Sequence, residues 1–204
     1  MSDKFNGWSH LDQYELNKVI DLVITKGTIE TVYPDTHIFS MFGSPNESLK
    51  ILDFGCGVCR NTGYLANTYS NWNIYGYDND NMLKHASDFC DKKYSMNVNN
   101  QLNLTLTSDW ESLKTKKFDV IFALLVFQHI YESDINTYLN DIKQMTSTLI
   151  VSGRRFNDEI IDGKYKNTWQ IFENNGLYPI NTDSNSYKVE GNPEDHTLCV
   201  YKFT

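Results

Sequence analysis

Residues 50–66, KILDFGCGVCRNTGYLA, join an apolar run to two closely spaced glycines and then to a region of helical periodicity. The apolar run predicts a short buried strand, and the glycines predict the turn that follows it. Thr62, Leu65, Ala66 and Tyr69 then recur at the spacing of one helix face. Because the start of a helix offers unpaired N–H groups, this order of elements predicts a ligand site at the turn.

Predicted strands and helices alternate along the rest of the chain. Further strands are predicted at residues 73–77, 102–107, 118–124 and 148–152. Helices are predicted at residues 12–26, 82–90, 135–145 with Ser133 as N-cap, and near 169–172 with Gly176 ending the helix. The chain closes with a predicted hairpin of residues 186–190 and 196–203. This pattern predicts a doubly wound α/β fold, in which a mostly parallel seven-stranded sheet ends in an antiparallel C-terminal hairpin and carries helices on both faces.

Composition limits the classes of protein and partner. The 204 residues, of which 40% are hydrophobic, suit one domain with a sizeable core. The net charge of −8 and the absence of any lysine or arginine run disfavour a nucleic-acid partner. The first residues lack the apolar region of a signal peptide, and the longest apolar run, residues 120–127, is too short to span a bilayer. We therefore expect a soluble, cytoplasmic protein with no membrane contact.

The four cysteines form no disulfide framework, which is typical of a reducing compartment. Cys56 and Cys59 have the spacing of a zinc or redox motif. No second pair of cysteines or histidines stands at ligand spacing, so we predict no metal site.

Two residues near the glycines indicate the charge of the ligand. A dinucleotide fingerprint G-x-G-x-x-G needs its last glycine where Arg60 stands, and an arginine there obstructs close packing of the helix on the strand. Asp53 precedes the first glycine by two residues. Its carboxylate would repel a pyrophosphate but would attract a ligand with ammonium and sulfonium groups. A cationic ligand is therefore predicted.

Asp53-Phe54-Gly55-Cys56-Gly57 resembles the first motif of class I S-adenosylmethionine-dependent methyltransferases. Followed by Arg60-Asn61-Thr62, it is similar to the small-molecule and tellurite-resistance-like branch, and the resemblance extends from residue 49 to the C-terminus. It implies that Asp78, 21 residues after Gly57, holds the ribose hydroxyls, and that Asp109 takes the adenine amino group beside Trp110. The residues implied to bind the cofactor are Asp53, Gly55, Cys56, Gly57, Arg60, Asp78, Asn79, Met82, Ser108, Asp109, Trp110, Leu124 and Leu125.

The resemblance implies an activity as well as a fold. S-adenosylmethionine would be the cofactor and S-adenosylhomocysteine the product, with the methyl group passing by in-line displacement to O, N or C of a small-molecule acceptor. Residues 1–204 would form a single methyltransferase domain in which residues 1–48 are an N-terminal helical lid. The Asn/Asp-Pro-Pro-aromatic motif of base-methylating enzymes is missing after the fourth strand, so a nucleic-acid acceptor is disfavoured.

Several alternatives stay open at this stage. His129 is a candidate general base because it follows the fourth strand, but its apolar neighbours also suit a packed loop residue. A protein acceptor is possible, and no oligomeric state is predicted. Cys59 occupies the third small position, where the family usually has glycine. A binding module without turnover, acting as a sensor or partner subunit, is therefore a second hypothesis.

Overall fold

In the computed structural model, the first strand, β1, spans Lys50–Phe54, and all of its residues after Lys50 are buried. The structure describes residues 36–39, 41–127, 130, 132–154, 160–161, 164–165, 172–187 and 196–203. These residues fall into two compact units, divided in sequence between Trp110 and Glu111.

The first unit contains three parallel strands. β1 pairs with β2, Asn73–Tyr77, and β2 pairs with β3, Leu104–Thr107, which gives the order β3-β2-β1. The register places Asp53 opposite Gly76. Parallel strands end at the same edge, so the residues that follow β1, β2 and β3 lie at one edge of this unit.

Short helices precede, connect and follow these strands. They are α1 at Thr36–Phe39, α2 at Arg60–Thr68, α3 at Asp80–Leu83, α4 at Ala86–Tyr94, a 3-10 turn at Val98–Asn100 and α5 at Trp110–Leu113. The helix predicted across residues 82–90 is wrong, because α3 and α4 are separate helices. The N–H of His85 bonds to the carbonyl of Met82 at 3.1 Å, a three-residue spacing that tightens the chain and interrupts the α-helical series.

The second unit contains four strands of a sheet and a small hairpin. Its elements are β4 at Val120–Leu124, α6 at Glu132–Met145, β5 at Thr148–Arg154, β6 at Ile160–Ile161, β7 at Lys164–Tyr165, β8 at Asn181–Tyr187 and β9 at His196–Lys202. β4 and β5 are parallel, β9 is antiparallel to both β5 and β8, and β6 pairs with β7. The mostly parallel strands, the antiparallel C-terminal pair and the intervening helices confirm the predicted α/β class.

Several predicted boundaries need correction. Ser133 is not an N-cap, because α6 already begins at Glu132. The third strand begins at Leu104 rather than at the fully exposed Leu102. β8 begins at Asn181, five residues before the predicted hairpin strand. The helix predicted at residues 12–26 lies outside the described residues.

Gly176 ends a helix, as the sequence predicts. Its φ is 69°, in the left-handed region that favours glycine. The N–H groups of Gly176 and Leu177 bond to the carbonyls of Glu173 and Phe172 at 2.9 Å, the paired pattern that closes a helix C-terminus. Phe172 is fully buried and stacks on Tyr201, which anchors this turn to the core of the second unit.

No helix among the described parts of the chain combines the length and apolar character needed to cross a bilayer.

Candidate functional site

The glycine turn between β1 and α2 is fastened to the end of β2. The N–H groups of Gly55 and Cys56 both donate to the carbonyl of Tyr77, at 2.8 and 3.0 Å. Gly55 and Gly57 have φ angles of 80° and 58°, values that glycine adopts without steric cost. The two glycines are therefore explained by the path of the backbone.

Cys59 has the same left-handed conformation. Its φ is 71° and its ψ is 34°, and it is the N-cap of α2, with its carbonyl accepting the N–H of Gly63 at 2.8 Å. Such a conformation costs a non-glycine residue about 1–2 kcal/mol. The side chain is fully buried. The position therefore needs a left-handed backbone, which glycine adopts readily. In this chain a cysteine adopts it at a cost in strain, and its side chain fills buried space.

Asp78 joins the end of β2 to the glycine turn. Its Oδ2 accepts the N–H of Gly57 at 2.7 Å, and its Oδ1 accepts the backbone N–H of Asn79 at 2.7 Å and the Asn79 side-chain amide at 3.1 Å. Asp78 is only 5% exposed. Burial raises the pKa of its carboxyl from 3.8 to about 6, while the hydrogen bonds from Gly57 and Asn79 act in the opposite direction.

Asp53 lies on the other strand that leads into the turn. It is buried, and its Oδ2 accepts a hydrogen bond of 2.6 Å from the Thr62 hydroxyl. Burial raises the pKa of the neighbouring Cys56 thiol, and the hydrogen bond and charge of Cys59 and the charges of Asp78 and Asp53 add to that shift. Both acids are thus close enough to influence one thiol. The structure brings these two predicted cofactor residues together around the turn.

The start of α3 extends the same cluster. Asn79 caps this helix through its Oδ1, which accepts the N–H of Met82 at 3.0 Å. The Met82 methyl lies 3.7 Å from the point where a Cβ on Gly57 would stand. Ser108, which follows β3, donates its hydroxyl to the Asp80 carboxylate at 2.5 Å. Predicted site residues from three successive strand ends are therefore neighbours.

An aromatic cluster lies beside them. The ring of Trp110 packs at 5.3 Å from Phe54 and 5.0 Å from Tyr77, and the latter two rings stack at 5.5 Å. Trp110 is half-buried. Asp109 is exposed, and its backbone N–H bonds to the Thr107 hydroxyl at 3.0 Å. Asp109 thus differs in exposure from Asp53 and Asp78, which are both buried.

Three more of the predicted cofactor residues are described by the structure: Arg60, Leu124 and Leu125. Arg60 is the first residue of α2 and is half-buried. Leu124 ends β4, and Leu125 has a φ of 59° and donates its N–H to the carbonyl of Ser152 at 2.9 Å. Both leucines belong to the second unit. His129 lies outside the described residues, and of the predicted lid the structure describes residues 36–39 and 41–48.

The two cysteines of the turn are free thiols with their sulfur atoms 3.9 Å apart. Within the described ranges, no group of three or more His, Cys, Asp or Glu side chains could hold a metal ion.

Sequence reasoning missed four residues of this cluster: Thr62, Asp80, Phe54 and Tyr77. The two aromatic residues carried a usable signal, since each is the last residue of a strand that leads directly into a predicted site residue. Thr62 belongs to the helical repeat and to the Arg60-Asn61-Thr62 stretch of the family resemblance, but neither pattern indicates its contact with Asp53.

A family model matches this chain, whereas none of the curated proteins with which it was compared does. A family model described as a methyltransferase domain matches residues 52–148, just under half of the chain.

Solved structures extend the similarity beyond the matched residues. The magnesium protoporphyrin IX methyltransferase of Synechocystis PCC 6803 is 17% identical, with a TM-score of 0.65 and 100% of each chain covered. A TehB-like S-adenosylmethionine-dependent methyltransferase of Corynebacterium glutamicum is 16% identical, with a TM-score of 0.60, and covers 96% of this chain and 99% of its own. An S-adenosylmethionine-dependent methyltransferase of Aquifex aeolicus is 17% identical, with a TM-score of 0.62, and the match covers 95% of this chain and 100% of that one. Residues 52–148 therefore match the model of a methyltransferase domain, and the chain has the fold of the class I S-adenosylmethionine-dependent methyltransferases.

Proposed function

We propose that the protein transfers the methyl group of S-adenosylmethionine to an oxygen, nitrogen or carbon atom of a small-molecule acceptor and releases S-adenosylhomocysteine. The observation that carries this proposal is the buried Asp78 carboxylate, which follows β2 and is bonded to the N–H of Gly57 in the turn after β1. This pairing joins an acid that can accept ribose hydroxyls to a turn that a ligand can approach closely.

The backbone at Gly57 fits such a ligand. Among the described residues, a Cβ there would meet only the Met82 methyl, at 3.7 Å, so these residues leave space beside the turn. Gly76 provides the contrast, because a Cβ there would lie 2.7 Å from Leu106 and 3.0 Å from the Cys56 sulfur. Gly76 therefore serves packing, whereas Gly57 leaves room for a bulky adenosyl group.

The hydrogen bonds of Asp78 limit how it can hold a ribose. A carboxylate offers about four acceptor positions, and Gly57 and Asn79 fill three of them. Two ribose hydroxyls need two positions, so one present donor must leave. The Asn79 side-chain amide makes the longest of the three contacts, at 3.1 Å. We expect this amide to move when the ribose binds, while both backbone contacts remain.

Asp53 supports a cationic ligand. Its buried carboxylate is held near the N-terminus of α2 by Thr62, which lies in the first turn of that helix. A second negative charge, that of Asp78, affects the same Cys56 thiol. A ligand with ammonium and sulfonium groups would offset these charges, whereas a pyrophosphate would add to them.

In this reaction the protein itself does not supply the reactive group. The bound cofactor supplies an electrophilic methyl group, and the protein binds and orients the two reactants and excludes water. Asp53 and Asp78 would hold the two ends of the cofactor, with Asn79, Met82, Ser108 and Trp110 around its adenosyl part. His129 is proposed as the group that takes a proton from the acceptor where one must be removed.

Three observations support a small acceptor and a cytoplasmic location. The net charge of −8 disfavours nucleic acid, and the solved structures of this fold include a methyltransferase of magnesium protoporphyrin IX. All four cysteines are free thiols, which suits a reducing compartment.

The test is transfer of tritium from methyl-labelled S-adenosylmethionine into a cell extract divided into small-molecule and macromolecular fractions. We expect label in the small-molecule fraction with the wild type and with Asp91→Asn, which changes an exposed acid on α4. Asp53→Asn should lose most of the transfer. Label in protein or nucleic acid would contradict the proposed acceptor class. S-adenosylhomocysteine binding without any transfer would support a binding module instead.

A further inference from the structure

We infer that Thr62 is a positioning residue for the amino-acid tail of the cofactor, because its hydroxyl fixes the carboxylate of Asp53. The inference rests on the proposed function, in which Asp53 faces the ammonium group of that tail. It assigns to Thr62 a role in ligand binding that acts wholly through its neighbour.

The hydrogen bond has the features of a strong one. The Thr62 hydroxyl and Asp53 Oδ2 are 2.6 Å apart, and the residues are 0% and 4% exposed. Hydrogen bonds to an ionised group at this length are about twice as strong as neutral ones. A threonine within a helix often directs its hydroxyl to the carbonyl four residues earlier. Thr62 directs its only O–H to a side chain on β1 instead.

The methyl group of Thr62 does separate work. Its Cγ2 lies 3.1 Å from the point where a Cβ on Gly76 would stand. Gly76 is also the register partner of Asp53 across β1 and β2. The methyl therefore packs where β2 has no side chain, and this contact helps to keep Thr62 in the rotamer that reaches Asp53.

The consequence concerns the state before the ligand arrives. A carboxylate that is already oriented loses less rotamer freedom on binding, so more of its attraction for an ammonium appears as affinity. Removing the hydroxyl would leave Asp53 in place but would remove this short hydrogen bond as a restraint on its carboxylate. Affinity should then fall only for ligands that carry the ammonium group.

The experiment compares two ligands on matched variants by calorimetry. S-adenosylhomocysteine carries the amino-acid tail, and 5′-methylthioadenosine has the same adenosine but lacks the tail. Thr62→Val keeps the branched shape and removes the hydroxyl, whereas Thr62→Ser keeps the hydroxyl and removes the methyl. Thr62→Ser and Thr62→Ala form a second pair that differs in the hydroxyl alone, which serves if Thr62→Val does not fold.

We expect Thr62→Val to weaken S-adenosylhomocysteine binding about tenfold or more and to leave 5′-methylthioadenosine within about twofold. Thr62→Ser should bind 5′-methylthioadenosine like the wild type and S-adenosylhomocysteine more tightly than Thr62→Val does, although its melting temperature should fall. In a cycle with Asp53→Asn, the double variant with Thr62→Val should lose no more affinity than Asp53→Asn alone.

Equal loss of both ligands, or no loss of either, would overturn the inference and leave the proposed function standing. A wild type that binds neither ligand would overturn the proposed function, and the inference with it.

Discussion

Asp78 should make both the stability of the protein and its affinity for S-adenosylhomocysteine depend on pH. Its pKa of about 6 in the folded protein exceeds the ordinary value of 3.8, mainly because of burial. Between these two values the folded state binds a proton that the unfolded state lacks, so the free energy of unfolding falls as the pH rises through this window. From about pH 4.5 to pH 7 this loss amounts to about 2 kcal/mol.

The variant Asp78→Asn removes the titrating group and keeps an amide oxygen that can accept the N–H of Gly57. The free energy of unfolding of both ligand-free proteins is measured with denaturant at several pH values. From about pH 4.5 to pH 7, the wild type should lose about 2 kcal/mol of this free energy relative to the variant. Asp91→Asn, at an exposed acid, should show no such shift. A constant difference across this range would refute the burial argument.

The affinity for the ligand should have the opposite pH dependence to the stability, because it should rise with pH. Ribose hydroxyls donate to the ionised acid, and with a pKa of about 6 the ionised fraction falls about tenfold between pH 7 and pH 5. The affinity for S-adenosylhomocysteine should fall by a similar factor in the wild type. It should change far less in Asp78→Asn, which should bind weakly at both pH values. Equal pH dependence in the two proteins would place the titrating group elsewhere.

Three further substitutions test the backbone and the packing. Cys59→Val should cost about 1–2 kcal/mol more than Cys199→Val, because only Cys59 is left-handed; equal costs would contradict the strain argument. Gly63→Ala, which usually stabilises a helix, should lower the denaturation midpoint because its Cβ would lie 2.7 Å from the Cys90 sulfur, and adding Cys90→Ala should recover part of the loss. Gly176→Ala should cost about 1 kcal/mol from its φ of 69°, since no atom of the described residues lies within 4 Å of the new Cβ.

The first part of the fold was readable from the sequence because its signals are local. The apolar run before Gly55 and the helical repeat after it predicted β1 and α2, and β2 was predicted at its observed bounds. The family resemblance implied that Asp78 belongs to the cofactor site, and its place directly after β2 explains its hydrogen bond with the turn, since parallel strands end together.

Other features depend on contacts that no periodicity reveals. The spacing of Met82, Ala86 and Cys90 suits one continuous helix, but the structure has two, with the N–H of His85 bonded to the carbonyl of Met82 between them. β8 begins with the polar residues 181–186, so its pairing with β9, rather than hydrophobic alternation, makes it a strand.

The side-chain pair of Thr62 and Asp53 illustrates the same limit at the site. The residues are nine positions apart, on a helix and a strand. The helical repeat accounted for Thr62 and the predicted ligand charge accounted for Asp53, so neither residue indicated the other. Their hydrogen bond follows from how α2 packs against β1. Cys59 could be recognised as a departure from glycine, but its left-handed backbone became visible only with the structure.

The most direct measurement is calorimetric titration of the wild type with S-adenosylhomocysteine and, separately, with NAD. S-adenosylhomocysteine should bind and NAD should not, and Asp78→Asn should weaken the first ligand at least tenfold while Asp91→Asn leaves it unchanged. Tight binding of NAD with no heat from S-adenosylhomocysteine, or an Asp78→Asn protein that binds S-adenosylhomocysteine like the wild type, would contradict the cofactor site described above.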